Sequence, residues 1–129
     1  MIRVLVVDDH PTVRSAVRKL LETTEGMTVV GEAGDGREAL DVVEKTQPDV
    51  VLMDLTMPEL SGIQATRYLS ITHPRTRILI FSAAVGRDVV REARAAGAAG
   101  FVAKGGRAGR VIRAIRAVNE GRSAWPMWA

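Results

Sequence analysis

Cysteine is absent from the 129 residues. That excludes a disulfide scaffold and any thiolate metal site, and it fits a reducing compartment. Aromatic residues are few: two Trp, two Phe and one Tyr. Packing therefore falls to Val, Ile, Leu and Ala. No apolar run approaches the ~20 residues of a membrane-spanning helix. The N-terminal apolar run stops at Asp8, too short for a signal peptide. The expectation is a cytoplasmic chain without membrane contact, sized for a single domain. Internal repeats and low-complexity tracts are also missing.

Charge is present but segregated. Residues 1–74 carry seven Lys/Arg against twelve Asp/Glu, a net of −5; residues 75–129 carry eleven against three, a net of +8. Such a chain can pair its halves internally or offer a basic face to a partner.

Five short runs, Val4–Val7, Thr28–Gly31, Val50–Met53, Ile78–Phe81 and Gly100–Ala103, recur at even spacing. They are strand-length, mostly rich in β-branched residues and do not alternate, which predicts strands covered on both faces, as in a parallel sheet. Helical patterns fill the intervals. One opens at Pro11, with Val13, Val17, Leu20 and Leu21 at helical spacing. A second opens at Asp35, where Glu38 three residues on resembles a capping box, and ends by Pro48. Others run over about 61–72, 88–96 (capped by Gly97) and 108–120 (stopped by Gly121). Five βα units with right-handed crossovers put helices on both faces of a parallel sheet.

Ligands of such sheets bind beyond the carboxyl ends of the strands. The residues at those ends are Asp8 and Asp9, Asp54, Ser82 and Lys104, while Glu32 after the second run lies off-centre if that strand is an edge. Two carboxylates ~5 Å apart at an effective dielectric of ~20 repel by roughly 3 kcal/mol. A crowd of three needs a counter-charge. Lys104 is one, and Mg²⁺, a hard ion that takes a few carboxylates and phosphate oxygens, is another. Asp54 is then a candidate nucleophile toward phosphorus. Lys104 would neutralise charge on the transferred oxygens, and Ser82 would hydrogen-bond one of them.

"VLVVDDHP", "VVLMDLTMPELSG", "ILIFSA" and "GFVAKG" resemble the receiver domain of two-component response regulators, in order and spacing, over about residues 2–121. The His-Pro after the acidic pair is similar to the NarL/FixJ-type transcriptional regulators. The resemblance implies a flavodoxin-like fold of strand order 2-1-3-4-5. It implies transfer of a phosphoryl group from a sensor histidine kinase to Asp54. Mg²⁺ would be held by Asp9, Asp54 and the main-chain carbonyl of Thr56, with Asp8 helping directly or through water. Lys104 matches the phosphate-pairing lysine, Ser82 the switch hydroxyl and Phe101 the switch aromatic, whose ring turns inward on phosphorylation. The chain would be a switch rather than a turnover enzyme.

Gly105 and Gly106 stand where the family has a capping residue, which should loosen the segment after Lys104. Ala84 offers no polar group to position a hydrolytic water, and Thr56 only a hydroxyl. Val111, Ile112, Ile115 and Val118 share one arc of the last helix, leaving Arg107, Arg110, Arg113 and Arg116 on the complementary half. That half is either a solvated face or a docking surface for an acidic partner. A homodimer would use the first and fifth helices or the face of the fourth helix, fifth strand and fifth helix. DNA would be reached only through an output domain outside these residues. Residues 122–129 read as a tail or the start of a linker to it, with Trp125 and Trp128 in that linker or packed back on the first or fifth helix. His10 and His73 read as surface or loop residues. The rival functions are a stand-alone receiver working by protein contact, an aspartate-nucleophile phosphatase and a flavin carrier. The phosphatases carry Asp-x-Asp after the first strand, whereas the acids here are adjacent; a flavin phosphate would need donors where this chain has carboxylates.

Overall fold

The computed structural model describes residues 1–129. Five strands alternate with five helices. They are β1 (Ile2–Val7), α1 (Pro11–Glu22), β2 (Met27–Ala33), α2 (Gly36–Thr46), β3 (Val50–Met53), α3 (Gly62–Thr72), β4 (Arg77–Ser82), α4 (Arg87–Ala95), β5 (Gly100–Ala103) and α5 (Ala108–Asn119). The strands form one parallel sheet of order β2-β1-β3-β4-β5. This is the flavodoxin-like order the resemblance implies.

The lack of alternation has a simple cause. Successive strand side chains point to opposite faces, and both faces are covered. Leu5, Val7, Val51 and Met53 pack with Ala39 and Val43 of α2, Ala65 and Leu69 of α3, and Val90 and Ala93 of α4. Val4, Val6, Val50 and Leu52 pack on the other side with Val17 and Leu21 of α1 and Val111, Ile115 and Val118 of α5. Fully buried, each such aliphatic side chain contributes about 1.5–3 kcal/mol.

Local signals set the helix ends. Pro11 occupies the first turn of α1. Asp35 caps α2 by accepting from the Glu38 N–H at 2.8 Å, but the box is not reciprocal: Glu38 Oε1 accepts from the Gly34 N–H at 2.7 Å. The reciprocal box belongs to α3, between Ser61 and Gln64. Gln47, left-handed at φ 47°, ends α2 one residue before Pro48. Gly97, at φ 103°, closes α4 as its position predicted. α5 has no side-chain cap, but the residue at its N-cap is Arg107 rather than either of the glycines after Lys104.

The C-terminal residues pack back on the domain, but Trp125 does not go to the first or fifth helix. They run alongside β5: the Phe101 N–H donates to the Ala124 carbonyl at 2.8 Å, and the Ala124 N–H to the Ala99 carbonyl at 3.2 Å. Trp125 packs on the α2–α4 side of the core, and the Arg94 guanidinium lies 4.5 Å from its ring centroid. Trp128 is exposed. No helix is long and apolar enough to cross a membrane.

Candidate functional site

The carboxyl ends of β1 and β3, the two central neighbours, put Asp8 and Asp54 side by side. Backbone bonds fix them. The Asp8 N–H donates to the Ala33 carbonyl and the Asp54 N–H to the Val7 carbonyl, both at 3.0 Å. Gly62 at the start of α3 sits so close that a Cβ there would strike the Asp54 carbonyl. The glycine is thus required for α3 to abut the strand end, and its N–H donates to the Leu55 carbonyl at 2.9 Å.

Asp8 is 2 % exposed and Asp54 5 %. Two nearly buried carboxylates are costly without a counter-charge. Lys104, one residue beyond β5, supplies it: Nζ lies 2.7 Å from Asp8 Oδ2 and 3.2 Å from Asp54 Oδ1. The β4–β5 ladder aims it there, with Ser82 paired to Ala103 and the Lys104 N–H donating to the Ser82 carbonyl at 2.8 Å. The Phe81 ring, 5.6 Å from Nζ, flanks the ammonium.

Burial, then the neighbouring charge of Asp8, pushes the Asp54 carboxyl above its ordinary range; Lys104 only partly opposes this. For Lys104 burial lowers the ammonium, but the hydrogen bond to Asp8 and the charge of Asp54 outweigh it, and the net shift is upward.

Asp9 is half-buried at the rim. Its carboxylate joins those of Asp8 and Asp54 and the His10 ring in a group whose potential ligand atoms lie within 4.8 Å of one another. Asp8 Oδ2 and Asp9 Oδ1 are buried, each with lone pairs to spare beyond a single nitrogen neighbour. Lys104 Nζ lies 2.7 Å from the first and His10 Nδ1 3.0 Å from the second. Oxygen donors left short of partners are what a hard divalent cation takes.

Ser82 is 2 % exposed at the end of β4, and its Oγ accepts from the Ala84 N–H at 3.1 Å. Its hydroxyl thus organises the β4–α4 turn. Phe101 is 3 % exposed in the core. Thr56 is exposed on the β3–α3 loop and lines a shallow groove with Ser61 and Ala84. Glu32 lies on the edge strand β2 and turns to α1, where Arg14 Nε and Arg18 Nη1 hold it at 3.1 and 2.6 Å.

Two contributors escape the sequence reading. His10 is exposed, as expected of a loop residue, yet its Nδ1 lies 3.2 Å from Asp8 Oδ1 and its N–H donates to the same oxygen at 2.9 Å. Arg14 Nη1 donates to the Asp8 carbonyl at 2.7 Å and so ties α1 to the strand end. The available signal was the i, i+4 spacing of Arg14 and Arg18 on the helix after the acidic pair.

A model of the response regulator receiver domain matches residues 4–116. The chain belongs to the response regulator receiver domain family. This receiver is 47% identical over 79 residues to the response regulator GacA of Pseudomonas viridiflava, covering 61% of the chain and 37% of GacA. It is 42% identical over 95 residues to the transcriptional regulatory protein YhcZ of Bacillus subtilis, covering 74% and 44%. The receiver thus aligns with less than half the length of these relatives. Among solved structures, a LuxR-family response regulator from Aurantimonas sp. superposes with a TM-score of 0.92 at 42% identity, over 96% of this chain and 89% of that one. The receiver domain of NarL from Mycobacterium tuberculosis gives 0.90 at 36% identity, over 94% and 98%. These neighbours place the receiver with the NarL/FixJ type.

Proposed function

We propose that this receiver accepts a phosphoryl group on Asp54 from the phosphohistidine of a sensor kinase and passes the change to the surface formed by α4, β5 and α5. The observation that carries this is Lys104 spanning Asp8 and Asp54 at the strand ends. An Asp54 carboxylate oxygen attacks phosphorus. The bond to the histidine nitrogen breaks, and that imidazole leaves with the electron pair and takes up a proton. Asp54 is desolvated and held still by the β3 ladder and α3, so little reorganisation opposes the attack. Lys104 turns its ammonium from the carboxylates to the incoming phosphoryl oxygens. Ser82 donates its hydroxyl to one of them, giving up its contact in the β4–α4 turn.

Asp8, Asp9 and Asp54 suit Mg²⁺, with the Thr56 carbonyl as a fourth ligand; bound there, the ion supplies positive charge against the phosphoryl oxygens. His10 closes the acidic cluster from the solvent side. Phe101 is the relay from Ser82 and Lys104 to the α4–β5–α5 surface. The chain assists its own phosphorylation and is not a turnover enzyme. It works in the cytoplasm. Its output is transcriptional, through a DNA-binding module beyond these residues, as the regulators it resembles suggest. The stand-alone alternative predicts function from residues 1–129 alone. The test is to treat the chain with acetyl phosphate and Mg²⁺ and weigh it intact, beside Asp54→Asn. A gain of one phosphoryl group in the wild type alone supports the assignment; equal gain in both overturns it.

A further inference from the structure

The α4–β5–α5 surface is already occupied by the chain's own C-terminal segment. Residues 123–126 run beside β5, joined to it by a single parallel bridge between Gly100 and Ala124. Two backbone hydrogen bonds, from the Phe101 N–H to Ala124 and from the Ala124 N–H to Ala99, hold it. The fit is close: a Cβ on Gly100 would stand 2.6 Å from the Ala124 carbonyl oxygen and 2.9 Å from the Ala124 Cβ. Trp125 then turns inward to the core layer that contains Phe101 and Val90, under the Arg94 guanidinium. Phe101 and Trp125 line one groove with Val85, Ala114 and Met127. An edge strand this short presents unpaired backbone groups, and pairing them is favourable.

We infer that residues 123–126 are an intramolecular ligand of the switch surface that holds Phe101 inward, so that docking of the segment and phosphorylation of Asp54 favour each other. This rests on the phosphoacceptor assignment and on Phe101 as its relay. Phe101 is the shared element. Its backbone grips the segment, while its strand carries Lys104 three residues on. Trp125 completes the apolar wall on the ring's side of the sheet. If phosphorylation favours the inward ring, a segment that binds only the inward arrangement must be bound more tightly by the phosphorylated chain. By linkage, removing the segment's grip must disfavour phosphorylation by the same factor.

Trp125 lies in the segment and Trp128 two residues past its end, so tryptophan emission reports this C-terminal stretch and little else. In Trp128→Phe of residues 1–129, which leaves Trp125 as the only indole, acetyl phosphate and Mg²⁺ should add one phosphoryl group. The same treatment should blue-shift the emission and reduce acrylamide quenching about twofold. Trp125→Ala should weaken the binding constant for beryllofluoride with Mg²⁺, a phosphoryl stand-in that binds reversibly, at least about fivefold, the lower end of common coupling factors. Trp125→Phe should restore most of it, which a general loss of stability would not. Arg94→Gln, which removes only the cation over the ring, should give a smaller loss in the same direction. Phosphoryl gain with unchanged emission, or an equal constant in Trp125→Ala and wild type, overturns the coupling and leaves the phosphoacceptor assignment standing. No phosphoryl gain in the wild type overturns both.

Discussion

Two clusters join acid to base in this receiver, and they differ in almost every physical respect. At the strand ends one ammonium serves two carboxylates that are nearly cut off from water. On the β2 edge one carboxylate, Glu32, serves two guanidiniums, and all three side chains keep a quarter to two-fifths of their surface in solvent. The edge cluster is relaxed. Each charge has water as well as a partner, and Arg18 is held further protonated by hydrogen bonds to Glu32 and then Glu22. The buried cluster is dry and has two carboxylates for one ammonium, and burial first, then the charge of Asp8, raises the Asp54 carboxyl. Surplus negative charge in a dry pocket attracts a cation and keeps a nucleophile lightly solvated. A solvated ion pair does neither. The edge pairs are staples between α1 and β2; the buried set is the one with charge left to bind a ligand.

Removing the counter-charge should break the contrast most. Lys104→Met leaves two buried carboxylates facing each other and should cost about 3 kcal/mol, read from urea unfolding in EDTA. A loss below ~0.5 kcal/mol would mean the pocket is wetter than its burial shows. Asp54→Asn should act in the opposite sense under the same conditions, gaining on the order of 1 kcal/mol near neutral pH, because one of the two repelling charges is gone while Asp8 keeps its lysine.

The pH dependence sharpens this. The folded chain binds the Asp54 proton at higher pH than the unfolded chain does. Ionised Asp54 is therefore a cost near neutrality, relieved as pH falls through its raised folded value. The advantage of Asp54→Asn over wild type should shrink on acidification. Lys104 behaves conversely. Its contribution is fully present below its unfolded value and disappears as pH rises through the higher folded one, so Lys104→Met and wild type should converge in alkali. Unfolding curves across pH in EDTA, with Asp54→Asn gaining instead on acidification, would reverse the assignment of strain to Asp54.

Glu32→Gln should have the smallest effect, roughly 0.5–1 kcal/mol, and it should fade in high salt, since exposed pairs are screened. A salt-insensitive loss as large as that of Lys104→Met would erase the distinction between the clusters.

Much of this was legible in the chain. The five apolar runs announced the strands because a sheet covered on both faces cannot tolerate alternation. Residues just past each run named the pocket, since parallel strands all end on one side. Glu32 read as off-centre, and edge position explains why it turned to α1. Other features were not legible. His10 read as a loop residue because its proximity to Asp8 and Asp9 depends on a local turn. The box at Asp35 opened toward Gly34 because Glu38 found a nearer N–H. Trp125 read as a linker residue or as packed on the first or fifth helix, as nothing local says that β5 has a free edge.

The sequence by itself determined which residues are strands, which are helices, and which chemical groups stand at the strand ends. Hydrophobic period and capping residues act over a few positions, so a linear reading captures them. Only the tertiary structure decided how dry the pocket is, that one ammonium reaches both Asp8 and Asp54, and that Ala124 pairs with the β5 edge. Those depend on distances between residues tens of positions apart. Desolvation and Coulomb energy follow such distances through space, not along the chain.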